Sequence, residues 1–290
     1  MHLAASEGHL EVVRFLLEKG SDINHVKSND GWTALMAASG KGHLNIVRFL
    51  QEKGAGVNVK NHEGVTPLIA ASLNGYLQVV RFLAEHNAEL NAKANNGVTT
   101  LMAASSEDHL DIVQFLVQKG ADVNAKKSDD GGTALMIAAT NGHLEIARFL
   151  VEKGANVNAK ANNGEAALMD ASGNGHLELA RFLLENGADV NHARTIDGVT
   201  TLMAASFNGH LETVQFLVQK GADINAKTDD DGTALMIASE HGYLEIARFL
   251  VEHGADINAK TKKSDTALSL AEHQGKINII SYLRSKGAKQ

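Results

Sequence analysis

Between positions 131 and 160 the chain reads GGTALMIAATNGHLEIARFLVEKGANVNAK, and the spacing of its apolar residues predicts two short helices. Thr133 offers a hydroxyl where a helix N-cap is wanted, and the apolar and small residues at 134–139 make the first helix. Asn141-Gly142 interrupts it, and Gly142 can take a positive φ at a turn between antiparallel helices. The second helix gathers Leu144, Ile146, Ala147, Phe149 and Leu150 on one face, with Glu145, Arg148, Glu152 and Lys153 toward water. Gly154 closes it. The extended tail 155–160 then turns back through Asn162-Asn163-Gly164 as a hairpin-like loop.

This pattern recurs along the whole chain. Its first leucine has equivalents at Leu35, Leu68, Leu101, Leu135, Leu168, Leu202, Leu235 and Leu268, a period of 33 or 34 residues, and Met1 fills the same slot. A fixed period of this size marks a solenoid whose units bury their apolar faces only by stacking. One continuous domain over residues 1–290 is expected, with units at about 1–30, 31–63, 64–96, 97–130, 131–163, 164–197, 198–230, 231–263 and 264–290. The 34-residue units carry one extra loop residue, and such insertions usually mark the exposed, functional edge. The stretches starting at Gly97 and Gly198 are close copies, which implies duplication of a three-repeat block.

Slot by slot, the unit resembles the ankyrin repeat: Gly-x-Thr-Pro-Leu-His-x-Ala-Ala, then Gly-His-Leu, then Leu-Leu-x-x-Gly-Ala-Asp-Val-Asn. The resemblance spans the chain and implies an all-α solenoid of about nine L-shaped units, the first truncated, curved so that loops and first helices lie on the concave side. The departures are specific. Proline survives only as Pro67, being replaced by Ala34, Thr100, Ala134, Ala167, Thr201, Ala234 and Ala267, so helix starts lose preorganisation. The family's histidine becomes Met36, Ile69, Met102, Met136, Met169, Met203 and Met236, which is expected to remove its polar link to the threonine. Asn87 and Asp108 stand where turn glycines belong, a tolerable exchange because both side chains visit the left-handed region. The last unit brings Glu272, Gln274, Lys276, Asn278, Arg284 and Lys286, as a solvated cap would, whereas the first unit shows no polar replacement and is expected to be poorly capped.

A net charge of −7, with Lys and Arg scattered among acids, gives no field to gather polyanions and argues against nucleic acid as primary partner. Cysteine is absent, as are an Asn-x-Ser/Thr acceptor, a signal-peptide pattern and an 18-residue apolar run. An intracellular, cytoplasmic location without membrane insertion is therefore expected.

Candidate chemistry is sparse, and no enzymatic activity or cofactor is expected. The histidine column His9, His43, His109, His143, His176 and His210 suggests a metal, but packed helices lie roughly 8–10 Å apart, too far for a shared zinc. The resemblance implies instead that each histidine bonds backbone of a neighbouring repeat. Gly40-Lys41-Gly42 and Gly173-Asn174-Gly175 lack the third glycine and preceding strand of a dinucleotide loop. Asp229-Asp230-Asp231-Gly232 has Lys227 where the first calcium ligand belongs, so it reads as a solvated acidic loop. Arg14, Arg48, Arg81, Arg148, Arg181 and Arg248 form a column that i,i+3 pairing with preceding glutamates on a solvated face explains. Asp170 is the anomaly, in a slot held elsewhere by Ala or Ile and expected to be packed, where a carboxylate is costly unless bonded or solvated.

Function should therefore lie where the copies disagree. By resemblance, the variable loop and pre-turn positions line a partner-binding surface: Trp32, Lys41, Leu73, Asn74, Glu107, Asp130, Asn141, Asn174, Phe207, Asn208, Glu240 and His241. Trp32, Leu73 and Phe207 supply apolar anchors. The expected activity is a non-catalytic scaffold for a partner protein or peptide. Two alternatives are a targeting or adaptor segment of a larger multidomain enzyme or effector, and an array that self-associates end to end through its uncapped first repeat; otherwise a monomer is expected.

Overall fold

The computed structural model of the chain describes residues 1–289. Eighteen helices occur among them, two per repeat. The first helices of the repeats are α1 (His2–Ser6), α3 (Ala34–Gly40), α5 (Pro67–Leu73), α7 (Thr100–Ser106), α9 (Ala134–Asn141), α11 (Ala167–Gly173), α13 (Thr201–Phe207), α15 (Ala234–His241) and α17 (Ala267–His273). The second helices are α2 (Leu10–Glu18), α4 (Leu44–Glu52), α6 (Leu77–Glu85), α8 (Leu110–Gln118), α10 (Leu144–Glu152), α12 (Leu177–Glu185), α14 (Leu211–Gln219), α16 (Leu244–Glu252) and α18 (Ile277–Ser285). The described residues form no strand, only the isolated bridges Lys93–Thr99 and Ala193–Thr200 in two of the loops. The all-α expectation holds.

The chain divides into two compact units, one of Met1–Ala138 with Glu145–Ala155, the other of Ala139–Leu144 with Asn156–Gln290. In the first, α1, α3, α5 and α7 pack in succession, as do α2, α4, α6 and α8. In the second, α11, α13, α15 and α17 repeat the arrangement beside α12, α14, α16 and α18. Each unit's core is a set of thin layers between helix pairs. Leu35, Leu68, Leu101, Ile46, Leu83 and Leu116 are closed to solvent in the first, and Leu202, Leu217, Leu235, Leu250 and Leu283 in the second. Small residues such as Ala38, Ala71 and Ala104, also closed to solvent, let neighbouring helices approach.

Helix starts are set by threonine. The Oγ1 atoms of Thr33, Thr66, Thr99, Thr133, Thr200 and Thr233 accept the backbone N–H three residues on at 3.2–3.4 Å. The methionine slot departs from expectation. The Met102 sulfur accepts the Thr99 N–H at 3.5 Å, and the Met203 sulfur accepts that of Thr200 at 3.5 Å, so a soft polar link replaces the one expected to be lost. The proline slot is less well served, because the hydroxyls of Thr100 and Thr201 are buried there without a partner.

The histidine column fastens one repeat to the next. His43 Nε2 lies 2.8 Å from the Ser6 carbonyl, His109 Nε2 3.2 Å from that of Leu73, His176 Nε2 3.1 Å from that of Thr140 and His210 Nε2 3.1 Å from that of Gly173. Each ring rests on the turn glycine of the preceding repeat. A methyl group added at Gly175 would fall 2.6 Å from the His210 ring, so that turn needs glycine for space as well as for its φ of 75°. Asn87 and Asp108 do adopt positive φ, 67° and 59°. Asp231 and Ser264 do so as well, at 61° and 67°, in the loop slot that glycine fills elsewhere.

The arginine column has a second role beyond the expected pairs. Arg14–Glu11, Arg148–Glu145, Arg181–Glu178 and Arg248–Glu245 do pair at 3.5–3.7 Å on exposed faces, where such pairs contribute little. The guanidinium groups also cover an aromatic ring of the next repeat: Arg14 over Phe49 at 4.4 Å, Arg48 over Phe82 at 4.9 Å, Arg81 over Phe115 at 4.7 Å and Arg181 over Phe216 at 4.4 Å. Cation–π contact thus joins these repeats to their successors, whereas Gln114 and Gln215 interrupt the column.

The ends differ. Leu3, Val12 and Phe15 on the first repeat are 75%, 47% and 54% exposed, an open apolar face. On the last, the Arg284 guanidinium meets Glu272 at 2.7 Å beside exposed Gln274 and Asn278, although Ile277 is also bare.

Candidate partner-binding surface

Seven of the twelve residues singled out for partner contact line separate grooves between first helices and loops. In the first compact unit, Trp32, Lys41 and Asn74 line a groove of about 480 Å³ together with His2, Leu3 and the Lys27–Asp30 pair. Trp32 is half-buried, its ring against Gly40. Leu73, 42% exposed, belongs to a second groove of about 550 Å³, walled by His62, Glu63, Val65, Ile69 and the loop 94–98. In the second compact unit, Asp170, Asn174, Phe207 and Asn208 share a groove of about 420 Å³ with Glu165, Met169, Arg194, Val199 and Ile237. Phe207 is 52% exposed, and the His241 ring lies 4.5 Å from its own, with Glu240 the residue before.

Glu107, Asp130, Asn141, Glu240 and His241 line none of these three grooves. Glu107 is exposed at the end of α7, where its Oε1 accepts the Ser106 hydroxyl at 3.4 Å. Asp130 is held by its own loop. Its Oδ2 meets Lys127 Nζ at 2.7 Å and its Oδ1 accepts the Gly132 N–H at 2.8 Å. Desolvation works to raise the Asp130 carboxyl, but Lys127 and the Gly132 N–H outweigh it and hold it below the usual range.

Asp170 requires a correction. Its slot is packed in some repeats, where Ala37, Ala70 and Ala103 are buried, but Asp170 itself is half-buried on the groove wall, as Ile137, Ala204 and Ile237 are in the same slot. A half-buried carboxylate on a groove wall is not sealed in the core, so the full cost expected of a packed charge is not imposed.

Arg194 was missed by sequence reasoning. Its Nη1 lies 3.0 Å from Glu165 Oε1 of the preceding loop, its Nε 3.1 Å from Asp197 Oδ1, and its Nη2 bonds Asp197 Oδ2. The available signal was positional. The 34-residue units place a cation three residues before an aspartate in the loop: Lys27 and Asp30, Lys127 and Asp130, Arg194 and Asp197. All three pairs form, so the inserted residue makes room for an ion pair that closes the loop. Partial burial pushes the Asp197 carboxyl up, but the Arg194 guanidinium and the Val199 N–H hold it below the usual range.

Family models of ankyrin repeats (three copies) match residues 1–61, 53–127, 125–194, 156–228 and 202–290, so together they leave no part of the chain uncovered. The chain belongs to the ankyrin-repeat family. Among curated proteins, none matches it significantly. Ankyrin repeats are in general protein–protein interaction modules and typically non-catalytic, and proteins built from them are commonly intracellular. Among the described residues, no group of His, Cys, Asp and Glu could hold a metal ion, and no helix is long and apolar enough to cross a membrane.

Proposed function

We propose that this ankyrin-repeat chain is a non-catalytic scaffold that binds a partner protein, or a peptide segment of one, on its loop and first-helix face. One observation carries the reading. Leu73 and Phe207 stand exposed in grooves whose walls combine recurring residues such as Ile69, Met169 and Met203 with residues that vary between repeats, such as Glu63, Asn96, Glu165, Asp170 and Arg194. Side chains held in place before contact lose little ordering entropy on binding, which is how a stack of packed repeats gains affinity from many modest contacts. A cytoplasmic setting suits such a role, since nothing in the chain calls for oxidation.

Capture of partners from native lysate with the full chain, followed by the same capture with Trp32→Ala and Phe207→Ala, tests this. Truncating a central aromatic anchor should cut the retained partner about tenfold or more. Identical retention by the wild type and both variants would remove these anchors from the interface.

A second reading rests on Leu3, Val12 and Phe15, whose exposure favours end-to-end association through the first repeat. Light scattering over a concentration series should then show a rising mass, and a monomeric mass throughout rejects it. This stands second because Ser281 occupies the arginine slot of the last repeat, so it lacks the guanidinium that elsewhere reaches the ring of a following repeat, as Arg14 reaches Phe49.

A further inference from the structure

Six phenylalanine faces among the described residues are paired with cations, and Phe249 packs on His253 instead. Phe15, Phe49, Phe82, Phe115, Phe149 and Phe216 each have an Arg or Lys over the ring. Phe207 lies outside that column, at the C-terminal end of α13 in the groove of the second compact unit. Its only ring contact among the described residues is His241, and half of its surface faces solvent.

The ring is flanked by carboxylates from both neighbouring repeats. On one side, Glu165 and Asp170 line the same groove. On the other, Glu240 stands next to His241 on α15, half-buried, with no ion pair or hydrogen bond among the described residues. Arg194 is the cation in the groove, and its three guanidinium nitrogens are already committed to Glu165 and Asp197. Glu165 and Asp170 against Arg194 leave the groove lining with a formal charge of about −1, and two more carboxylates stand next to its neighbours, Asp197 paired with Arg194 and Glu240 beside His241.

An exposed aromatic face inside a net-negative groove complements one kind of side chain. We propose that the Phe207 groove receives a lysine or arginine from an extended segment of a partner protein, with the cationic head over the ring and among the carboxylates, and the aliphatic stem against Met169, Val199 and Ile237. Asn174 and Asn208 at the rim are partly spent on the chain itself, Asn174 Nδ2 on the Asp170 carbonyl and Asn208 Nδ2 on the Gly173 carbonyl, at 2.8 and 2.7 Å. Charge and the aromatic face, more than amide hydrogen bonds, therefore select the ligand. The proposal rests on the loop and first-helix face being a protein-binding surface and adds the chemistry of what enters one groove.

The test is a nuclear magnetic resonance titration of the full chain with acetyl-Leu-Arg-Leu amide, with the Gln and Glu counterparts as controls. The Arg peptide should shift the signals of Phe207 and its groove neighbours in a saturable way. The Gln peptide should bind at least about threefold more weakly, and the Glu peptide more weakly still. Phe207→Leu and Glu240→Gln should each lower the affinity for the Arg peptide about two- to fivefold, while Phe207→Tyr keeps it. Equal or tighter binding of the Gln peptide, shifts confined to other repeats, no saturable shift at all, or indifference to Phe207→Leu and Glu240→Gln would each overturn the proposal. Lysate capture by the Trp32→Ala and Phe207→Ala proteins keeps the two ideas apart. If capture still depends on those anchors while the Arg peptide shows no preference, the charge assignment fails and the scaffold reading stands.

Discussion

Leu83→Ala should destabilise the protein by about 2–5 kcal/mol, the range for a fully buried leucine whose site cannot collapse. Leu83 is closed to solvent on α6, which packs against α5 within its own repeat and against α4 and α8 on either side. The deletion therefore opens a cavity between layers rather than at one surface. In a stack where each repeat contacts only its neighbours, the loss is also local. Denaturant unfolding gives the total, and hydrogen exchange gives its place. Protection should fall first in α4, α5, α6 and α8, with the amides of α13 to α18 less affected. Exchange rising evenly along the chain would mean that the array unfolds as one cooperative block, and a cost below about 1 kcal/mol would mean that the layers relax into the gap.

The same layered construction decides what could be read from sequence. Period, helix ends and core positions were legible because they are local. Thr133, Gly142 and the apolar face of α10 act within one unit, and eight further copies repeat the message. Contacts between units were legible only when a slot repeats and the family resemblance supplies its partner, as for His43, His109, His176 and His210. The arginine column failed that test. Arg14 and Glu11 are three residues apart, whereas Arg14 and Phe49 are 35 apart and meet only once the repeats stack. Asp170 misled for a related reason: alanine or isoleucine at a slot suggests packing, but small and apolar side chains also form groove walls. Asp231 and Ser264 passed unnoticed because a loop backbone at positive φ leaves no signature once glycine is replaced. In the candidate site, Trp32, Leu73 and Phe207 could be named from variation between copies. The Glu165–Arg194–Asp197 cluster could not, since its three members belong to two successive loops.

Two glycines in the first compact unit separate the strain of a backbone from the closeness of a neighbour. Gly54 and Gly97 have nearly the same φ, 89° and 85°. Around Gly54 nothing lies within 4 Å of where a Cβ would be, so Gly54→Ala should cost only the left-handed penalty of about 1–2 kcal/mol. At Gly97 the same methyl would sit 2.0 Å from the Ser128 backbone nitrogen and 2.6 Å from the Ser128 Oγ of the next repeat's loop. That nitrogen donates to the Asn96 carbonyl at 3.2 Å, a bond that joins one loop to the next. Backbone cannot swing aside as the end of a side chain can. Gly97→Ala should therefore add an overpacking cost of about 1–3 kcal/mol to the backbone penalty and loosen the junction between the loops at 94–98 and 125–132. Urea unfolding of the two variants should place Gly97→Ala below Gly54→Ala by that margin, with faster exchange at the Ser128 amide in the first only. Equal midpoints would show that the loops part without cost, and the loops would then be hinges rather than braces for the surface that carries Leu73 and the grooves beside it.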